Sequence, residues 1–174
     1  MACASAWNQA ARALLAKRPL PLHEEARLLR DLNAAIFDAY VVAFEAKYFY
    51  VFWRPVTAIR NGDEDDNPAT GRDAHWRPLL PTPRSPAYPC ARCAAGAAAL
   101  SVLERAFGRG GAGPVRIETP DGARTFTGLA ALADEIDESA LWAGAQYRFG
   151  IEAGREAGRR VAEALRSRAA AAAR

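Results

Sequence analysis

Histidine is almost missing from this chain. Two are present among 174 residues, His23 and His75, and each is isolated. Cysteine is as scarce, at three: Cys3, Cys90 and Cys93. An odd count without a leader argues against a disulfide framework and for a reducing compartment. Cys90-Ala91-Arg92-Cys93 is a lone CxxC. Zinc would need two further ligands that the separated histidines do not offer, and a thioredoxin-like dithiol needs a βαβ context that is absent. A structural or inert pair is the first reading, with redox and metal pairs as alternatives. Lysine is rare too: 21 of the 23 basic residues are arginine, spread along the chain, and the net charge is only +3. Nothing resembles a basic arm, so no nucleic-acid partner is expected. Long apolar runs are lacking as well. Residues 34–53 come nearest, but Asp38, Glu45 and Lys47 interrupt them, so no membrane span is expected. The N-terminus has no charged region followed by an apolar run, so no signal peptide is seen and a soluble, cytoplasmic protein is expected. Arg12, Lys17 and Arg18 without an acid in the first 23 residues weakly resemble a transit peptide.

What is present is enough apolar material for one domain: 51% hydrophobic against 25% charged. The spacing predicts a helix over residues 4–17, broken by Pro19 and Pro21. A long helix follows from residue 22. Over residues 36–52 it is apolar nearly all round, the mark of a helix at a bundle centre. Residues 61–89 form a proline-rich loop. Its acidic run at residues 63–66 fails the EF-hand test, because Pro68 stands where the turn glycine belongs. A third helix starts at Pro89 or Cys90 and stops at Gly108, leaving free N–H groups at residues 90–92 as an anion site. Residues 115–119 and 123–127 flank Pro120-Asp121-Gly122 as a small hairpin. A fourth helix runs over residues 129–145, capped by Thr127, with Asp134, Glu135, Asp137 and Glu138 as its wet face. Gly150 breaks the chain, and a fifth helix covers residues 151–168, where Gly154 and Gly158 allow close helix approach. The fold class is therefore all-α: a bundle of about five helices with a long loop and a hairpin excursion.

One stretch stands out. Lys47-Tyr48-Phe49-Tyr50-Val51-Phe52-Trp53-Arg54-Pro55 holds five aromatic residues between two cations. On a continuous helix Lys47 and Arg54 would fall within roughly 20° of one face. They either hold an anion between them or snorkel separately to water. Arg92 and Arg148 add cations near two further helix ends.

Lys47-x6-Arg54-Pro55, the loop Trp76-Arg77-Pro78-Leu79-Leu80-Pro81, then Tyr88-Pro89-Cys90-Ala91-Arg92-Cys93, then Ser139 through Trp142-Ala143-Gly144-Ala145-Gln146-Tyr147-Arg148-Phe149 together resemble a known superfamily. It is that of type-2 phosphatidic acid phosphatases and vanadium-dependent haloperoxidases, with the soluble haloperoxidase branch the nearer. The resemblance covers nearly the whole chain, the first 20 residues included, which leaves the transit-peptide reading as the lesser alternative. It implies a helical bundle that binds phosphate or vanadate through motifs of the form KxxxxxxRP, PSGH and SRxxxxxHxxxD. In that family a lysine and two arginines neutralise the oxyanion. The second-motif histidine is the acid–base group, and the third-motif histidine is the phosphatase nucleophile or the vanadate ligand.

Carried over by position, the first motif is intact in Lys47, Arg54 and Pro55. In the second, Cys90 stands for serine, Ala91 for glycine and Arg92 for the acid–base histidine. A guanidinium stays protonated and cannot shuttle a proton. In the third, Ser139 matches, but Ala140 replaces arginine, Gln146 the essential histidine and Gly150 the aspartate. A carboxamide cannot form a phospho-enzyme or ligate vanadium as imidazole does. The resemblance thus implies catalytic positions at Arg92 and Gln146, both substituted, and an anion site of Lys47, Arg54, Cys90, Ala91, Arg92 and Arg148. No metal ligand is expected, and vanadate, the family cofactor, is expected not to bind; a phosphate-like anion could. An active peroxidase or phosphatase is the alternative, with Cys90 as an unrecognised nucleophile. Family members are longer, so residues 1–174 are expected to be a single, partial domain. It would pair with another copy or with a full-length paralogue.

Overall fold

Alanine decides the centre of this molecule. Residues 91–100 contain six alanines and a glycine, which favours helix and leaves no bulk to hold neighbours away. In the computed structural model, which describes residues 3–110 and 113–172, this stretch opens helix α4 (Ala91–Phe107), buried over most of its surface. It packs chiefly against α6 (Arg148–Ala172) and α2 (Leu22–Tyr50). Contact with α6 is close enough to require glycine. A Cβ on Gly158 would lie 2.0 Å from the Ala94 carbonyl oxygen, and one on Gly154 2.4 Å from that of Cys90.

The remaining elements enclose this core. Helix α1 (Cys3–Lys17) buries Trp7, Ala11, Leu14 and Leu15, as its spacing predicts. Helix α3 (Pro55–Arg60) is short, and α5 (Leu129–Trp142) precedes α6. Strands β1 (Val115–Thr119) and β2 (Gly122–Phe126) pair antiparallel, from Val115 opposite Phe126 to Thr119 opposite Gly122. Val115 and Ile117 enter the core, and the Glu118 amide donates to Gln9 Oε1 on α1 at 2.8 Å. The all-α bundle with a hairpin excursion is therefore the observed architecture. Among the described residues, no helix is long and apolar enough to cross a membrane.

Several local expectations change. The bundle centre is α4, not α2. Phe37, Val41, Phe44, Tyr48 and Phe49 of α2 are all exposed, because bulky apolar residues surround that helix while neighbours cover only one side. Helix α2 also ends early. Val51 adopts a left-handed conformation (φ 46°), and its amide caps the Lys47 carbonyl. Arg54 is extended (φ −83°, ψ 153°), the conformation that a following proline favours. Lys47 and Arg54 therefore do not share a helix. Thr127 does not cap α5; Gly128 holds that position with no side-chain cap bond. Helix α5 stops at Trp142 and Gly144 turns the chain at φ +71°, where a Cβ would meet the Trp76 ring at 2.7 Å. Gly150 lies inside the first turn of α6 and does not break it. Asp137 is not on a wet face: it is 3% exposed and bonded to Arg155 of α6, which also reaches Asp134 at 2.9 Å. Burial pushes the Asp137 carboxyl upward against the pull of that guanidinium. Cys90 and Cys93 form a disulfide, contrary to the inference from the odd cysteine count. The odd cysteine is Cys3, buried under α4 with its thiol directed to the Arg92 carbonyl at 3.7 Å.

Candidate functional site

Aromatic residues flanking the motifs bring the three motif segments together. Phe52, which follows α2, meets Tyr147 at 5.5 Å and Phe149 at 5.4 Å, both edge-on. Tyr88 lies 6.4 Å from Phe52 and 5.8 Å from Phe149. Tyr147 also donates its hydroxyl to the Trp53 carbonyl at 3.2 Å. Backbone bonds reinforce the junction: the Cys90 amide donates to Gly150 at 2.9 Å, and the Ala87 amide to Phe52 at 3.0 Å. Such edge-to-face sets add roughly 0.5–1.5 kcal/mol per pair beyond their buried area. The signal was present in the sequence, as an aromatic beside each motif, but it carries no chemistry and is easily passed over.

The junction leaves a cavity of about 370 Å³. Lys47, Cys90, Ala91, Arg92, Ser139, Ala140 and Gln146 line it from the three motifs, and Tyr40 and Phe44 from α2. Leu80, Pro81, Pro83 and Ser85 of the proline-rich loop form the remaining wall. The N-terminal side of that wall is pinned by the Leu80 amide to the Ala143 carbonyl at 3.3 Å and by Arg60 Nε to the Trp76 carbonyl at 3.0 Å. Sequence reasoning missed Tyr40 and Ser85 as lining residues. Burial pushes the Tyr40 hydroxyl up to about 12, with Cys3 adding to the shift, so it stays protonated.

Two candidate residues lie elsewhere. Arg54 does not line the cavity; its Nη1 donates to the Pro83 carbonyl at 3.1 Å, behind the loop wall. Arg148 is exposed and paired with Glu138 at 3.0 Å.

Within the cavity the cations are unequal. Lys47 is 3% exposed and donates to the Pro86 and Ala87 carbonyls at 2.5 and 3.0 Å. Desolvation lowers its pKa to about 8. Arg92 is exposed at the cavity wall, with one nitrogen 3.4 Å from Ser139 Oγ. Ser139 in turn donates to the Ile136 carbonyl at 2.7 Å. The Gln146 side-chain oxygen is buried, with no hydrogen-bond partner among the described residues. Cys90, itself buried, borders the cavity at the start of α4 and is joined to Cys93, whose amide donates to Cys90 Sγ at 3.2 Å.

This bundle is shared with solved vanadium haloperoxidases. A bacterial vanadium-dependent iodoperoxidase matches at TM-score 0.80 and 24% identity, over 95% of this chain and 38% of that one. Holo- and apo-type bacterial vanadium-dependent chloroperoxidases match at TM-scores 0.73 and 0.69, both at 16% identity. They cover 94% and 93% of this chain, and 42% and 45% of theirs. The chain therefore spans less than half the length of each. No curated protein sequence matches. The fold is that of the vanadium haloperoxidases. A family model, the VCPO second helical-bundle domain, matches residues 27–174, and the chain belongs to that family.

Proposed function

We propose that this chain holds a small tetrahedral oxyanion, such as phosphate, without transforming it. The supporting observation is the composition of the cavity, which Lys47, Arg92 and Gln146 line: Lys47 and Arg92 supply positive charge, and the motif resemblance sets Arg92 and Gln146 where family members carry histidine. A guanidinium and a carboxamide can bind and orient but cannot relay protons or form a phospho-enzyme. Cys90, the nearby candidate nucleophile, is tied to Cys93 and is not a free thiolate.

Vanadate does not fit this donor set as a covalently held cofactor. The position that the resemblance assigns to its ligand is a glutamine, and a carboxamide has no imidazole nitrogen to coordinate vanadium. Lys47 already spends two donors on backbone carbonyls. Electrostatic retention of phosphate or sulfate by Arg92 and the third Lys47 proton remains. A covering partner is part of the proposal, a second copy of this chain or a longer paralogue, because the apolar face of α2 is bare.

The test is an activity assay beside a binding assay. Aryl phosphate hydrolysis, and bromination with added vanadate and peroxide, are both expected at background. Equilibrium dialysis is expected to show one bound phosphate per chain. Turnover that is lost in Arg92→Ala would overturn the proposal.

A further inference from the structure

We propose that the cavity takes an aromatic organic oxyanion, a ring that carries a tetrahedral acid group, in preference to inorganic phosphate. The inference rests on the oxyanion reading above, which accounts for the head group and not for a body. The volume points to a body. Free phosphate fills only a small part of about 370 Å³, a size within the range of organic-molecule sites, roughly 300–1,000 Å³. The lining divides by chemistry as well. Lys47, Arg92 and Ser139 supply polar contacts, and no aspartate or glutamate is among the described residues around the cavity. The rest of the wall is chiefly apolar: Phe44 on α2, Leu80, Pro81 and Pro83 on the proline-rich loop, and Ala145 ahead of α6.

Two of these apolar side chains lack cover. Phe44 and Leu80 line the cavity and are still exposed. One comes from the helix and the other from the loop, so an apolar body that enters takes both out of water at once. A flat ring suits the helix wall better than a chain does. Tyr40 and Phe44 present rings 6.4 Å apart there, and a third ring packs edge-on or offset against such neighbours. The loop wall is already held by the Leu80 amide on the Ala143 carbonyl and by Arg54 Nη1 on the Pro83 carbonyl. Binding therefore costs little ordering of the loop. Head and body separate by role. Arg92 and the one uncommitted Lys47 proton hold the oxygens, and Phe44 and Leu80 select the ring. No bond of the ligand is made or broken.

The experiment is calorimetric titration with phenylphosphonate, methylphosphonate and benzyl alcohol. The two phosphonates share a head and differ in the body, and benzyl alcohol has the ring without the charge. Phenylphosphonate is expected to bind about tenfold tighter than methylphosphonate, and benzyl alcohol far more weakly than phenylphosphonate. Leu80→Ser and Phe44→Ser, both at exposed positions, are each expected to lose most of that ring preference while methylphosphonate affinity stays the same. Arg92→Ala is expected to weaken both phosphonates. Equal affinity for the two phosphonates, with phosphate still bound in dialysis, would overturn this inference and leave the oxyanion reading standing. Binding of neither phosphonate nor phosphate would remove both. A ring preference kept in both serine variants, or benzyl alcohol bound as tightly as phenylphosphonate, would also overturn the inference.

Discussion

At the scale of single residues, the ammonium of Lys47 has two carbonyl partners, and desolvation lowers its pKa from an ordinary 10.5 to about 8. The folded state therefore loses this proton more easily than the unfolded state does. The cost of burying the charge is fully present below about pH 8 and is relieved as pH rises toward 10.5. Urea unfolding of wild type should gain on the order of 3 kcal/mol across that window relative to Lys47→Met. Parallel curves for the two proteins would contradict this. Binding runs the other way, because an anion needs the charged lysine. Sulfate, whose charge is constant over the window, should bind more weakly above about pH 8 than below it. The sequence allowed Lys47 to be picked out through its motif. It could not show that two backbone carbonyls would already occupy it, since residues 86 and 87 lie about 40 positions away. Arg54 was legible as a motif residue for the same reason. Its place behind the loop depends on where α2 stops, and a left-handed valine is not a stop signal that composition reveals.

Among the elements, the α4–α6 contact holds the site in register, since the same two helices carry Cys90 and Gly150. Backbone carbonyls face Gly154 and Gly158 across it. Gly158→Ala would place a methyl 2.0 Å from the Ala94 oxygen, against backbone that has no rotamer to yield. Destabilisation of about 1–3 kcal/mol or more is expected in chemical denaturation, despite the gain in helix propensity. An unchanged midpoint would contradict the packing described. The sequence pattern anticipated these glycines as a close-approach stripe, and the hairpin from its turn residues. It mistook α2 for the central helix, because periodicity counts apolar residues without knowing which neighbours exist to cover them. Asp137 failed for a related reason. One carboxylate among four looks solvated until α6 delivers Arg155 to it.

For the whole molecule, the uncovered apolar surface follows from that misassigned helix. Phe37, Val41, Phe44 and Tyr48 recur at i, i+4, i+7 and i+11 along α2, exposed by 66, 50, 40 and 63%. Such a stripe is more than scattered surface hydrophobicity. The solved structures that share this bundle are more than twice as long. Sedimentation analysis should show concentration-dependent self-association, reduced by a Phe37→Glu/Phe44→Glu pair. A strictly monomeric wild type would remove the second copy as the covering partner.

The central claim is that the cavity binds an oxyanion through Lys47 and Arg92. A melting curve in increasing phosphate, on wild type and Arg92→Ala, tests it most directly. At about 100 times Kd, ligation stabilises by ~2.7 kcal/mol, which for a domain of this size raises Tm by roughly 5–10 °C. The account predicts that rise in wild type and a much smaller one in Arg92→Ala. A flat wild-type curve, or an equal rise in both proteins, would contradict it.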